Sequence, residues 1–353
     1  MSKELNRRQF LMVSAAAGAM LAAGDLMNGG TKMAQGAVKI PETEKVTVTI
    51  LADNYYDLTA PHQKIAKRHR IEPRTSIFDM GFHAEHGLAY HIEVVANGVP
   101  TSFLFDFGMD FQGVTRNCEL VKLDFSKVEA LALSHGHFDH WGTLVGLLKT
   151  QKGVMRDGIP LYFGEDAFIE RYSKGPDGVV RSLSLLNRAD IEALGVVKLV
   201  EIKTPTQIVP GAYSTGKIEM VTEYEKGQPP LVIKQGDQYI QDFFVGEQAI
   251  VMNLKGKGLI VLSGCAHRGI VNAVKQAQMI SGIEKVHAVI GGFHLTGSKP
   301  EIIQKTIADV KALSPEYIVP THCTGFQAIT AFSKDMPEQF ILSTVGTHFS
   351  FAA

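Results

Sequence analysis

Three histidines and an aspartate fall within six consecutive residues, His135-Gly136-His137-Phe138-Asp139-His140. The stretch before them, Val128 to Ser134, is mostly apolar and predicts a strand that emerges from a core. Continued as a strand, positions 135 and 137 lie on the same side, so both imidazoles can grip one cation. Asp139 and His140 then fall where the chain turns into a helix beginning near Trp141, and they can face a second ion. Two-metal hydrolytic sites hold their ions about 3.5–4 Å apart. Neutral imidazole and carboxylate suit zinc, and also iron or manganese. Gly136 lets the backbone bend at the crowded point.

Around this cluster the chain alternates strand and helix signals. Strands are expected at Val46–Leu51, Leu88–Ala96, Ser102–Phe107, Val128–Leu133, Leu161–Phe163 and Val196–Ile202. Asn97-Gly98 is a strong hairpin turn. Ala60 to Arg74 reads as a loop or short helix, and His140 to Thr150 as a helix. Ala167 to Leu194 is mixed. Thr204 to Gln248 is rich in Gly, Pro and polar residues, and predicts hairpins and a pocket-covering segment. The last third is more regular. Strands at Gly258–Leu262, Val286–Ile290 and Tyr317–Val319 alternate with helices at Gly269–Ser281, Pro300–Leu313 and Phe326–Lys334. Ile341–Ser343 and His348–Phe351 are expected to be closing strands. An antiparallel first half and an alternating second half suggest sheets sandwiched between helices.

Residues 1–36 read as an export signal rather than as part of the fold. Arg7 and Arg8 precede Gln9-Phe10-Leu11 and an Ala-rich run from Met12 to Ala23, which resembles a twin-arginine signal. The run is short for a membrane span, which needs roughly 20 apolar residues. The expected partners are therefore the twin-arginine export machinery and a small-molecule substrate, with a periplasmic or otherwise exported location, membrane-anchored if the signal stays uncleaved. Residues 37–353 read as a single domain, with 150–250 carrying the insertion. Lys plus Arg number 35 and Asp plus Glu 36, a net charge of -1. That balance lacks the basic excess of a nucleic-acid binder. The three cysteines, Cys118, Cys265 and Cys323, are too few for a disulfide framework, although a Cys265–Cys323 bridge is compatible with the sequence. There is no Gly-x-Ser-x-Gly elbow and no Walker loop. The basic cluster Lys64, Lys67, Arg68, His69 and Arg70 reads as solvated surface.

His-x-His-x-Asp-His after an apolar strand resembles the metallo-β-lactamase superfamily, over about Val46 to Phe351. The resemblance implies an α/β (α+β) fold: an αββα sandwich of two mixed β-sheets flanked by helices, with a mono- or dinuclear metal site at one edge. Phe103-Leu104-Phe105-Asp106-Phe107-Gly108 resembles the superfamily's first motif, in which the Asp lies beneath the metals and orients their ligands. Leu262-Ser263-Gly264-Cys265-Ala266-His267, Gly291-Gly292-Phe293-His294 and Pro320-Thr321-His322-Cys323-Thr324-Gly325 each follow an apolar strand. Strand C-terminal ends are where a sheet presents side chains to a site. With Ala84-Glu85-His86-Gly87, these motifs resemble the subgroup of dihydropteridine-type, methanopterin-pathway ribofuranosylaminobenzene phosphate synthases.

By that resemblance His322 is the last metal-binding histidine and His267 a further ligand. The usual acidic bridging ligand is replaced by Cys265, so either His267 takes over or Cys265 contributes a thiolate. The usual third-motif histidine is missing between Pro210 and Gly216. His294 binds metal, or else hydrogen-bonds the substrate or reacting oxygen. His86 is a ligand or a supporting residue. The expected cofactor is one or two divalent ions, zinc first and iron or manganese as alternatives. The expected activity is hydrolysis of an ester, amide or phosphoester by a metal-activated water, with Asp139 orienting the nucleophile and His294 stabilising the developing negative oxygen. The alternatives are a pterin-pathway synthase-like transferase, a redox member of the fold and an exported non-catalytic metal- or ligand-binding protein.

Overall fold

In the strand Ala89–Ala96, Tyr90, Ile92 and Val94 are buried in the central core, while His91 and Glu93 face the other way. This period-two alternation decides the layering. The computed structural model describes residues 37–69, 76 and 81–353. The twin-arginine segment and Arg70 lie outside the described residues. One sheet runs, in spatial order, Val197–Ile202, Ile159–Gly164, Val128–Ala132, Val99–Phe107, Ala89–Ala96, Lys45–Ala52, His348–Ala352 and Ala66–Lys67. A second runs Thr206–Val209, Ala212–Ser214, Ala249–Leu254, Gly258–Ser263, Val286–Gly292 and Tyr317–Thr321, with Glu42–Thr43 added alongside Ala249–Leu254.

The two sheets close on one apolar interface. Tyr90, Ile92, Phe103 and Phe105 from the first pack with Met252, Ile260, Leu262 and Ile290 from the second. Each such aliphatic or aromatic side chain contributes roughly 1.5–3 kcal/mol when it leaves water. The outer face of the first sheet is covered by the helices Phe111–Leu120 and Leu144–Thr150 through Val114, Leu144 and Leu147. That of the second is covered by Ile270–Ser281, Pro300–Ala312 and Phe326–Asp335 through Val274, Ile307 and Phe332. The architecture is thus the αββα sandwich that the motifs imply.

Several local expectations differ from what is observed. A third, antiparallel sheet of Gln238–Gln241, Leu231–Gln235, Arg171–Lys174 and Val180–Ser182 occupies the mixed and polar regions. The helix expected over 140–150 is two helices, Phe138–Trp141 and Leu144–Thr150. The break falls where Gly142 packs against the Met109 backbone and the Thr143 hydroxyl donates to Phe107 O. The helix Phe111–Leu120 and the strand Ala249–Leu254 carried no expectation. The 60–74 stretch contributes a two-residue strand, Ala66–Lys67. Ile341–Ser343 forms no strand; Ile341 N only donates to Ile318 O beside an isolated bridge. Arg68 is not solvated surface. It is buried, and its guanidinium donates to Thr347 Oγ1 and Leu342 O, pinning the segment before the last strand. All three cysteines are free, so no Cys265–Cys323 bridge is present. Among the described residues no helix is long and apolar enough to cross a membrane.

The polar outer face of Ala89–Ala96 yields a pH prediction. Burial, reinforced by nearby His348, pushes His91 down to about 4. Between the ordinary histidine range near 6.5 and that value, the unfolded chain binds more protons than the folded one. Stability contributed by neutral His91 is therefore complete above about pH 6.5 and is lost as pH falls towards 4. Urea denaturation at both ends of this window should show His91→Gln losing less stability on acidification than the parent, by up to about 3 kcal/mol. Parallel losses in the two proteins would refute the assignment.

Candidate metal centre

Most of the chemically distinctive side chains of the site leave the C-terminal end of a strand. Asp53 follows Lys45–Ala52, and Asp106 closes Val99–Phe107. The four-residue cluster follows Val128–Ala132, Cys265 and His267 follow Gly258–Ser263, His294 follows Val286–Gly292, and His322 follows Tyr317–Thr321. Asp106, Ala266, His294 and His322 all adopt positive φ, between 46° and 59°. Such strain in non-glycine residues is retained where surrounding structure over-determines it.

The side chains gather into two main groups, and Cys265 and His267 also come within ligand distance of His294. In the first, His267 Nε2 lies 3.1 Å from both His135 Nε2 and His137 Nδ1. The strand ends at Ala132, so the two histidines of the motif do not converge through continued alternation. An irregular stretch from Leu133 to His137 brings them together instead. In the second group, Asp139, His140, Cys265 and His322 have ligand atoms within 4.8 Å of one another. His140 Nε2 is 3.1 Å from Cys265 Sγ, and His322 Nε2 is 3.2 Å from Asp139 Oδ2. Thus His267 completes the group lacking a third-motif histidine, and Cys265 stands with the second group.

Burial and the neighbouring groups push His135 and His267 well below the ordinary histidine range. Burial does the same to His137 against the pull of Asp139. Three neutral imidazoles with ring nitrogens this close cannot satisfy one another, because each has one N–H and one lone pair. His137 Nε2 and His267 Nδ1 are moreover buried without a partner. A zinc ion holding imidazoles at about 2.0–2.1 Å sets tetrahedral nitrogens about 3.3 Å apart, so the residues fit a divalent ion. Burial opposes charge on His140, but Asp106 and Asp139 outweigh it and raise it to about 9. His140 and His322 hold Asp139 below the usual carboxylate range despite its burial.

Three buried carboxylates hold these groups in place. Asp106 accepts from His140 Nδ1 at 2.6 Å and from Ser134 N and Oγ at 2.7 Å, while Ser134 Oγ meets His135 Nδ1 at 2.9 Å. One carboxylate therefore touches His140 directly and reaches His135 through the Ser134 hydroxyl. Glu247 accepts from His267 N and Arg268 N, both at 2.7 Å; burial raises it to about 7. Asp53 Oδ1 accepts His322 N at 2.9 Å, and Asn54 Nδ2 donates to His322 O. The same strand-end logic that singles out Asp106 would have found Asp53; nothing in the local sequence marks Glu247. Fixing the second nitrogen of a metal-binding imidazole typically alters metal affinity 10–100-fold. Asp106→Asn, which keeps shape but presents a donor, is expected to weaken metal binding by about that factor. Chelator competition on the folded variant measures it, and unchanged affinity would remove Asp106 from this role.

His86 and His294 stand at the rim. His86 is exposed, stacks on His322 at 4.9 Å and reaches within 3.6 Å of Asp139 Oδ2. His294 is half-buried and tilts against His267 at 4.1 Å; Cys323 and Glu247 raise it against burial. Together with Asp139 and Cys265 they line a cleft of ≈ 260 Å³. Leu183, Gln228 and Leu231 line its other side.

No family model matches the chain. Among curated proteins, the 7,8-dihydropterin-6-methyl-4-(β-D-ribofuranosyl)-aminobenzene-5'-phosphate synthase of Methanocaldococcus jannaschii is 33% identical over 268 residues, covering 74% of this chain and 89% of the relative. An uncharacterised protein of the same organism is 30% identical over 261 residues, covering 72% of this chain and 89% of its own length. Among solved structures, a metal-dependent hydrolase of the β-lactamase superfamily superimposes with a TM-score of 0.65 at 23% identity, over 87% of this chain and all of that one. With a synthase relative matched at 33% identity over most of both lengths, the chain belongs to the family of the M. jannaschii synthase, and it shares the fold of the β-lactamase-superfamily structure.

Proposed function

We propose that this protein is a metal-dependent hydrolase that cleaves an ester, amide or phosphoester bond in a small molecule. The observation that carries the reading is the abutment of two ligand groups, one of three imidazoles and one containing Asp139, His140 and His322, beneath a single cleft. Divalent ions held there supply Lewis acidity and a water acidic enough to react near neutrality. The chain's own residues do the rest. Asp139, held as carboxylate by His140 and His322, orients the attacking water. His294, kept towards its protonated form by Cys323, donates to the oxygen that becomes negative. Gln228 and Leu231 narrow the cleft and limit the size of the substrate.

The test is metal analysis of the purified protein joined to a screen of esters, lactams, phosphomonoesters and phosphodiesters. Hydrolysis that chelation abolishes and zinc, iron or manganese restores would support the reading. Tight, stoichiometric metal with no turnover of any class would sink it and favour a non-catalytic binding protein. A second reading, transferase chemistry, is favoured by the 33% identity to a synthase. Formation of the product named for that relative, without hydrolysis, would replace the first reading with the second.

A further inference from the structure

Two thiols, Cys265 and Cys323, line the cleft. They follow the strands Gly258–Ser263 and Tyr317–Thr321, and Val286–Gly292 runs between those two. Neighbouring strands lie about 4.7–4.9 Å apart. Strands separated by a third therefore hold their Cα atoms beyond the roughly 4.4–6.8 Å that a disulfide spans. The intervening strand ends at Gly292, however, and a Cβ there would lie 2.6 Å from Cys323 Sγ and 3.3 Å from Cys265 Cα. With no side chain at 292, the two thiols meet across the gap.

Their contact is direct. The two thiols hydrogen-bond one another, and Cys323 Sγ also reaches Cys265 O at 3.6 Å. Cys265 is 1% exposed and Cys323 6%. A free cysteine buried to that degree usually behaves as a small, inert hydrophobe. These two differ in touching each other at the wall of an open cleft, where a water-sized reagent reaches them. Cys118, the third cysteine, shows the ordinary case: it is buried in the helix Phe111–Leu120 against the first sheet.

We propose that Cys265 and Cys323 form a peroxide-sensitive dithiol, whose oxidation to a disulfide withdraws Cys265 from the group it shares with Asp139, His140 and His322. Cys323, the more accessible sulfur, attacks one oxygen of the peroxide. The O–O bond breaks, hydroxide leaves, and Cys323 becomes a sulfenic acid. The Cys265 sulfur then attacks the Cys323 sulfur, the S–O bond breaks, and hydroxide leaves again. The two thiol protons neutralise the two hydroxides. In sum the sulfurs lose two electrons, and one hydrogen peroxide becomes two waters. A disulfide sulfur is no longer the thiolate that binds a metal ion. Control of turnover by this route rests on the hydrolase reading; formation of the bridge does not.

The test treats the purified protein with hydrogen peroxide, then unfolds and alkylates it. The chain should keep one free thiol of its three and lose the mass of two hydrogens. Digestion should yield a Cys265–Cys323 cross-linked peptide that dithiothreitol separates. The oxidised chain should bind zinc at least about tenfold more weakly than the reduced one, the lower end of the effect of disturbing a metal site. Cys323→Ser should form no bridge, and Cys118→Ser should form it as the parent does; thermal melts establish that both are folded. Three thiols surviving the peroxide, sulfinic acid on either cysteine in place of the bridge, or cross-links only between chains would each overturn the proposal. Unchanged zinc affinity in the bridged chain would overturn its regulatory half. Absence of any turnover by the reduced, zinc-loaded protein would instead sink the hydrolase reading and leave the bridge standing.

Discussion

His137→Ala is expected to lose metal from the three-imidazole group and to lower turnover of any substrate found in the screen by about a thousandfold or more. His137 Nδ1 and His135 Nε2 both face His267 Nε2. Removing one of three neutral donors leaves two, fewer than closed or catalytic zinc sites use. The missing ring also exposes Phe244, which packs edge-on against His137 at 5.0 Å. Elemental analysis should show a reduced metal-to-chain ratio, and kinetics under saturating metal should show a fall in kcat. Full hydrolysis by metal-free His137→Ala would disprove both the site and the proposed function. Normal metal content with lost activity would instead make His137 a substrate-contacting residue.

The second large effect lies away from the ligands. Arg171→Met is expected to destabilise the protein by about 3–5 kcal/mol. Arg171 is 1% exposed, and its guanidinium pairs with Asp242 Oδ2 at 2.8 Å and Asp166 Oδ2 at 3.0 Å. Methionine retains much of the volume but leaves two buried carboxylates without a counter-charge, the costly half of a buried ion pair. The guanidinium also lies 5.3 Å from the centre of the Phe244 ring, which stacks on His267 at 3.8 Å and 6°. Arg171 therefore braces the His267 imidazole through an aromatic spacer. Urea denaturation should show the loss, and adding Asp166→Asn with Asp242→Asn should recover most of it. A variant as stable as the parent would show that the pair contributes nothing net. Gly136 belongs to the same arrangement: a Cβ there would meet Arg171 Nη1 and Ala167 O at 2.4 Å. The bend that sequence reasoning assigns to Gly136 is thus set by this close approach.

The parts legible in the sequence are those with local physical causes. Val46, Val48 and Ile50 alternate along one strand, and Asn97-Gly98 adopts the positive φ that a tight hairpin needs. The His135 to His140 cluster announces metal chemistry by residue type and spacing alone. Less legible are features that arise from packing between distant segments. Phe111–Leu120 has a weakly apolar sequence, yet it forms a helix because Val114 and Cys118 pack on the first sheet and Asp110 caps its start. The sheet bearing Arg171 pairs strands from residues 171–182 with strands from 231–241, so its partners lie too far apart for a local pattern to reveal.

From sequence alone, this chain was determined to present histidines and carboxylates at the ends of apolar strands, because side-chain alternation and turn chemistry act over a few residues. Which of them come together was decided by tertiary structure. His267 gathers with His135 and His137, and Cys265, two residues earlier, with Asp139, His140 and His322, while both also meet His294. That division depends on Asp106 and Glu247, buried carboxylates that hold separate segments at hydrogen-bonding distance. A spacing of two residues sets apart neighbours along a chain; only the packing of two sheets can bring residue 135 to residue 267.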